Sequence, residues 1–228
     1  MPSPGDIVPV ITIDGPSGSG KGTVSLRIAT QLGWHFLDSG ALYRLLACAA
    51  QRDGVALDDA AGLAALAGRI SGEFKTTVDG PEVVLLDGVD VTARLRTEAT
   101  GNAASQLAAL PEVRQSLLAW QRRFRQPPGL VADGRDMGSV VFPDAGLKIF
   151  LTARPGIRAE RRYKQLKDKG NYASLAEIIE EVKARDQRDQ SREVSPLLPA
   201  TDALVIDNSD QDIAVTVAEI FDRIQAIF

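Results

Sequence analysis

The stretch from Ile11 to Thr23, ITIDGPSGSGKGT, constrains the fold of this chain more than any other. The β-branched residues Val10, Ile11 and Ile13 predict a short strand that ends at Asp14, and a glycine-rich turn follows at once. A helix is expected to open at Lys21, because Val24, Ile28 and Leu32 recur at four-residue spacing on one face. Strand, glycine turn and helix in this order are what a phosphate-binding loop requires, and GxxxxGK is its pattern. Gly15, Gly18 and Gly20 accept backbone angles closed to other residues, so successive N–H groups can turn inward around an anion. The helix N-terminus adds a partial positive charge and Lys21 a full one. On this reading Gly15, Pro16, Ser17, Gly18, Ser19, Gly20, Lys21, Gly22 and Thr23 cradle the phosphates of a nucleoside triphosphate. The bland alternative is a chance glycine-rich turn, which the strand before and the amphipathic helix after argue against. One position departs from the general pattern: Gly22 stands where a Ser or Thr hydroxyl normally meets magnesium. Either phosphates and water hold the metal, or Thr23 compensates; no direct protein ligand is assigned.

A chain of 228 residues accommodates one α/β core plus an insertion or lid. The single cysteine, Cys48, lies among apolar residues, cannot form an internal disulfide, and favours a reducing, cytoplasmic setting. No basic residue precedes Lys21 and no long apolar run occurs, so neither a signal peptide nor a membrane span is expected. The one histidine, His35, makes a metal cluster or a Ser-His-Asp triad implausible. A net charge of −4 argues against general nucleic-acid binding. Yet Arg154 to Arg192 holds eleven Lys or Arg against seven Asp or Glu. A basic segment in an acidic protein suits a small anionic ligand, although a solvated helical face accounts for its lysines.

Along the chain, Gly33 reads as a helix stop and His35 to Gly40 as a strand and turn, with Ser39 capping the next helix. Ser39, Tyr43 and Arg44 then fall near a helix N-terminus, where a cation is unfavourable unless an anion joins it. Asp58 to Ser71 reads as helix. FKTTVDG, EVVLLDG and VDV read as three strands of a meander, foreign to a doubly wound core and so part of an insertion. Thr97 to Leu110 reads as helix. Pro111 starts another, with Val113, Leu117, Trp120 and Phe124 as its buried stripe and Arg114 off it.

LVADGRDMG follows a Pro-Pro-Gly break. Leu130 to Ala132 predicts a buried strand ending at Asp133, in the place of a carboxylate that orients magnesium-bound water. Arg135 and Asp136 would project from the loop on the ligand side, or else pair with each other. Lys148 to Ala153 is the next strand, and helices follow over Gly156 to Lys169 and Ala173 to Arg192, joined near Gly170. Arg158, Arg161 and Arg162 share one helical face, and guanidinium groups in register suit phosphate oxygens. Arg185, Arg188, Asp189 and Arg192 recur at three to four residues, which a solvated charge ladder explains equally well. Ala203 to Ser209 is a last strand and Ile213 to Ile227 a closing helix.

A phosphate acceptor needs no base, but it must be brought against another polyanion. At ~4 Å and an effective dielectric near ~20, each pair of unit charges repels by roughly 4 kcal/mol. Several arginines and a water-excluding lid answer this, and the arginine-rich segment after Ala153 is the natural lid.

GPSGSGKGT, LDSGALYR, NAASQ, VADGRDMGSVVFPDA and RDQRDQSR, in this order, closely resemble bacterial-type cytidylate kinases, a family of nucleoside monophosphate kinases. The resemblance covers nearly the whole chain, and GRDMG with NAASQ is far more specific than the phosphate loop. It implies a P-loop NTPase fold, an α/β core with a five-stranded parallel sheet flanked by helices. The core would span residues 1–38, 111–152 and 176–228, with an acceptor-binding insertion at 39–110 and a lid at 153–175. It further implies phosphorylation of CMP or dCMP by ATP with Mg2+, in a monomer that needs neither nucleic acid nor membrane. Ser39, Arg44 and Arg135 would surround the acceptor phosphate, with Arg192 helping, and Tyr43 and Arg188 would also belong to the CMP site. Ser105, Arg114 and Asp136 would read the cytosine edge, and Arg185 and Asp189 would hold the sugar hydroxyls. Lys21, Arg158 and Arg162 would stabilise the transferring group. The family has glycine at the Gly22 position, and Ser19 stands where relatives often have alanine. Two other readings stay open: a kinase with a hydroxyl acceptor and a carboxylate base at Asp133 or Asp136, and a nucleotide-responsive binding module.

Overall fold

A computed structural model describes residues 8–75, 83–168, 174–192 and 194–228. In chain order its elements are β1 (Val10–Asp14), α1 (Lys21–Leu32), β2 (His35–Asp38), α2 (Ser39–Asp53), α3 (Ala60–Ala67), β3 (Gly72–Lys75), β4 (Val83–Leu86), β5 (Val89–Asp90), α4 (Thr92–Leu95), α5 (Glu98–Leu107) and α6 (Pro111–Arg122). After these come β6 (Leu130–Gly134), a π-helical turn (Met137–Val141), β7 (Leu147–Thr152), α7 (Pro155–Asp168), α8 (Leu175–Gln190), β8 (Leu204–Asp207) and α9 (Ile213–Gln225). They form two compact units. Asp38–Gln121 is one; the flanking segments, up to Leu37 and from Arg122 on, make the other.

The larger unit is built on a five-stranded parallel sheet of order β2-β6-β1-β7-β8. All five residues of β1 are buried, as a central parallel strand demands, which is why it reads as an unbroken apolar run. Its neighbours pair in register, Ile13 beside Asp133 of β6 and beside Ile149 of β7. Helix α1 buries Val24 and Ile28 against Ile11, Ile13 and Val131, and α9 adds Val217, Ile220 and Ile224 to the same core. Each of these side chains contributes about 1.5–3 kcal/mol by leaving water. Gly33 closes α1 in the left-handed conformation, φ 65°, its N–H returning to the helix carbonyls. A smaller cluster of Ala159, Leu166, Ile178 and Val182 joins α7 to α8.

The smaller unit carries the three-stranded antiparallel sheet β3-β4-β5, the meander expected from the change of period. Asp87 and Gly88, both at positive φ (49° and 81°), make the two-residue turn between β4 and β5. Residues 76–80 of the expected first strand, and the join at Gly170, lie outside the described residues. Helix α2 packs against α3, α4 and α5.

Several boundaries differ from expectation. Helix α3 covers only Ala60–Ala67: the Asp59 carboxylate fixes its start by accepting from the Gly62 N–H at 2.9 Å, and Gly68 closes it. Asp38, not Ser39, caps α2: its Oδ1 accepts from the Ala41 N–H at 3.1 Å, and Ser39 is the first helical residue. Thr97 caps α5 rather than joining it. On α6 only Val113 and Leu117 of the expected stripe are fully buried, and Phe124 lies past the helix end. Arg114, expected off the stripe, is itself buried. Among the described residues no helix is long and apolar enough to cross a membrane.

Candidate active site

The loop between β1 and α1 is held by close packing. A Cβ on Gly15 would stand 2.0 Å from the Leu151 carbonyl oxygen of β7, so no larger residue lets the loop leave the sheet there. Gly18, at φ 78°, brings the loop against α7, where a Cβ would meet the Arg158 Cβ at 3.0 Å. Helix α1 starts behind Gly20 with no side-chain cap and no acidic residue in its first turn, which leaves its amide donors and positive end to an anion. Lys21 Nζ donates to the Pro16 carbonyl at 3.3 Å and stands 3.9 Å from Asp133 Oδ1.

Asp133 accounts for the missing hydroxyl. A Cβ on Gly22 would already lie 3.1 Å from Asp133 Oδ2, so a serine or threonine side chain competes with the carboxylate for one space. Thr23 is exposed. Among the described residues no cluster of three or more His, Cys, Asp or Glu could cage a metal. Mg2+ commonly keeps several waters and takes one or two carboxylates plus phosphate oxygens, and Asp133 beside the phosphate loop fits that need.

The segment after β6 is tied to the strand before the loop. Both carboxylate oxygens of Asp14 are engaged, accepting from the N–H groups of Met137 (2.8 Å) and Gly138 (2.9 Å). Burial pushes the Asp14 carboxyl up from 3.8 to about 7, against the pull of those two N–H donors. The π-helical turn opens at Asp136, whose carbonyl accepts from Val141 N–H at 3.2 Å, and the Asp136 side chain is buried. Arg135 donates from Nε to Asp189 Oδ2 at 2.9 Å and from Nη1 to the Gly134 carbonyl at 3.2 Å.

The arginines of α7 do not act as one face. Arg158, 3% exposed, donates to the Ala153 carbonyl (2.9 Å), to the Ser17 carbonyl of the loop (3.1 Å) and in bidentate fashion to Asp186 (2.9 and 2.5 Å). Arg161 reaches the side chain and carbonyl of Asn208, and Arg162 turns to Gln165 at 3.4 Å. On α8 and just past its end the solvated-ladder explanation fails where it matters: Asp189 is 1% exposed and Arg192 is 9%. Asp189 accepts from Arg192 as well as Arg135. Burial pushes its carboxyl up, but the charges of Arg135, Arg192 and Arg185 outweigh burial and hold it below the ordinary carboxylate range. The Lys183–Glu180 pair is the solvated one. Arg185 and Arg188 are half-buried on the same helix.

In the smaller unit Ser39, Tyr43, Ser105 and Arg114 are buried. Arg44, the candidate near the start of α2, donates from Nη1 to the Leu95 carbonyl at 2.9 Å and to the Thr97 carbonyl at 3.3 Å. Gly101 makes room for it, since a Cβ there would meet the guanidinium at 2.9 Å. Arg114 Nη1 donates to the Ala108 carbonyl at 3.1 Å.

Sequence reasoning left Asp14, Asp186 and Asn208 out of the site. Asn208 is fully buried and touches the phosphate loop, its Nδ2 donating to the Ser19 carbonyl at 2.9 Å. Its place just past the carboxyl end of β8 was the available signal, because open α/β sheets gather ligands there.

This geometry has close company. The family model described as cytidylate kinase matches residues 11–226. A cytidylate kinase of Methylococcus capsulatus is 57% identical over 205 residues, covering 90% of this chain and 91% of the relative. One from a Marinomonas species is 54% identical, covering 93% and 94%. A solved structure of an uncharacterized protein from Eubacterium ventriosum, 11% identical with a TM-score of 0.51, covers 95% of this chain and 98% of its own and shares the fold. With phosphate loop, GRDMG turn and arginine helices inside one match that spans nearly every residue, the chain belongs to the cytidylate kinase family.

Proposed function

We propose that this chain transfers the γ-phosphoryl group of ATP to CMP or dCMP, giving CDP or dCDP and ADP. One observation carries the reading beyond family membership: a continuous line of charge in the sheet-bearing unit. Lys21 stands 3.9 Å from Asp133, Asp133 acts on the Arg135 charge, and Arg135 pairs with Asp189. Donor-phosphate and acceptor-phosphate groups are thus parts of one network.

In the transfer an acceptor phosphate oxygen forms the new P–O bond as the bond from the γ-phosphorus to the β–γ bridging oxygen breaks. The acceptor is already anionic, so the chain's task is charge and position. Lys21 and the amides behind Gly20 hold the donor phosphates, and Arg158 and Arg162 stabilise the group in flight. Ser39, Arg44 and Arg135, helped by Arg192, receive the acceptor phosphate, Arg185 and Asp189 the sugar, and Tyr43 and Arg188 belong to the same CMP site. Ser105, Arg114 and Asp136 read the base: a carboxylate accepts from the exocyclic amine of cytosine and repels the carbonyl that uracil carries there. When bound, Mg2+ neutralises charge on the donor phosphates, with Asp133 the residue that would hold or orient its shell. Buried, unpaired Cys48 is compatible with a reducing cytoplasm.

The test is ADP release measured with CMP, dCMP, UMP, AMP and shikimate as acceptors. CMP and dCMP should turn over fastest by a wide margin. ADP release that stays flat whichever acceptor is added would favour the binding module, and turnover of shikimate the hydroxyl-acceptor kinase; either sinks the proposal.

A further inference from the structure

The phosphate loop has a second set of contacts, on the side away from its amides. The Ser19 carbonyl accepts from Asn208 Nδ2 at 2.9 Å and from Arg161 Nη1 at 3.4 Å. Arg161 also donates to Asn208 Oδ1 at 3.0 Å and to the Asn208 carbonyl at 2.8 Å, so the two side chains brace each other. Asn208 is anchored in turn, its N–H donating to the Thr152 carbonyl at the end of β7 at 2.9 Å. The Ser19 side chain plays no part: it is fully buried, and its Oγ has no partner among the described residues.

A trans peptide is planar, with C=O and N–H pointing in opposite directions. Fixing the Ser19 carbonyl outward therefore fixes the Gly20 N–H inward, toward the anion side of the loop. Left to itself, a peptide with glycine on one side would rotate more cheaply than one between two side chains. We infer that Arg161 and Asn208 are positioning residues, which clamp the Ser19–Gly20 peptide so that the Gly20 amide faces the triphosphate of ATP. Arg161 thereby takes a task different from that of Arg158 and Arg162 on the same helix. The inference rests on the kinase reading only for its ligand, the donor nucleotide; it makes no use of the acceptor.

The experiment compares Arg161→Lys, Arg161→Met and Asn208→Asp with the parent chain. Affinity for a non-hydrolysable ATP analogue is measured by equilibrium titration, KM and kcat for ATP and CMP by ADP release, and Tm by melting. Asn208→Asp keeps the contact with Arg161 but puts an acceptor against the Ser19 carbonyl, so it loses the clamp while preserving the pair. It should weaken ATP analogue binding and raise the KM for ATP by about tenfold or more, with Tm and the KM for CMP held. Arg161→Met should show the same defect in ATP. Arg161→Lys, with one compact charge for several acceptors, should restore Tm but not ATP affinity. ATP affinity within about twofold of the parent in folded Asn208→Asp would overturn the inference. So would a parallel rise of both KM values, which would mean general loosening. If Arg161→Met does not fold, Asn208→Asp decides alone. Failure of the kinase reading would register separately, as a parent chain that binds the ATP analogue yet turns over no CMP.

Discussion

Arg135 and Asp189, 54 residues apart in the chain, meet at 2.9 Å with the carboxylate almost wholly removed from water. Arg192 donates to the other oxygen of the same carboxylate. One buried acid thus keeps two guanidinium groups in place before any phosphate arrives. Removing one member of such a set leaves uncompensated charge, which is the costly event, rather than the loss of the pair itself.

Asp189→Asn should therefore lower stability by about 3 kcal/mol in urea unfolding at neutral pH. Because an anion can take over the missing charge, millimolar inorganic phosphate should stabilise the variant more than the parent. A variant as stable as the parent, or one indifferent to phosphate, would show that Arg135 and Arg192 do not depend on Asp189.

Asp14 gives a pH dependence of the opposite kind. Its folded carboxyl titrates at about 7 rather than 3.8, so between those values the folded state holds a proton that the unfolded chain has released. Unfolding releases that proton, and stability falls as pH rises through the window, then levels above it; the full effect is a few kcal/mol. Carboxylates held low, such as Asp87, Asp189 and Asp207, lose their stabilising effect only as pH falls below the ordinary carboxylate range. Denaturant midpoints between about pH 4 and 7 should slope downward in the parent and lose that slope in Asp14→Asn. Parallel profiles for the two proteins would exclude Asp14 as the source.

The phosphate loop was legible because its signal is local: β-branched residues, glycines and a four-residue apolar repeat within Ile11 to Leu32. The five-stranded core followed from the family resemblance carried by five motifs. What stayed hidden depends on partners far away in sequence. Asp14 binds amides 123 residues on, and Asn208 reaches Ser19 across 189 residues; neither residue type announces its partner. Helical spacing correctly put Arg158, Arg161 and Arg162 side by side, but spacing says which face a residue occupies, not which acceptor its flexible arm will find. At the start of α2 the choice between Asp38 and Ser39 as cap was close, since both residue types cap well.

Gly22 offers a direct test of why this loop lacks a hydroxyl. Gly22→Ala adds only a methyl group, 3.1 Å from Oδ2 of the buried Asp133 near the end of β6, so the carboxylate must give by a few tenths of an ångström. The carboxylate should shift away from Lys21 and from the place proposed for Mg2+. The kcat should fall by about tenfold, with an unchanged KM for CMP and a stability loss of about 1 kcal/mol. Unaltered turnover at varied magnesium concentrations would mean that Asp133 needs no such clearance.

Asp136 is the residue on which base choice is expected to turn. Its carboxylate is buried at the start of the π-helical turn, where an unmatched uracil carbonyl could not be screened by water. On the proposed role, Asp136→Ala would remove one charge-assisted hydrogen bond to cytosine, about 1.5–3 kcal/mol, together with the repulsion of uracil. Selectivity for CMP over UMP, taken as the ratio of kcat/KM values, should fall by about tenfold to a hundredfold, mostly through a raised KM for CMP. Abolished turnover of all acceptors alike would instead assign Asp136 as a general base, and would move the chemistry from a phosphate acceptor to a hydroxyl.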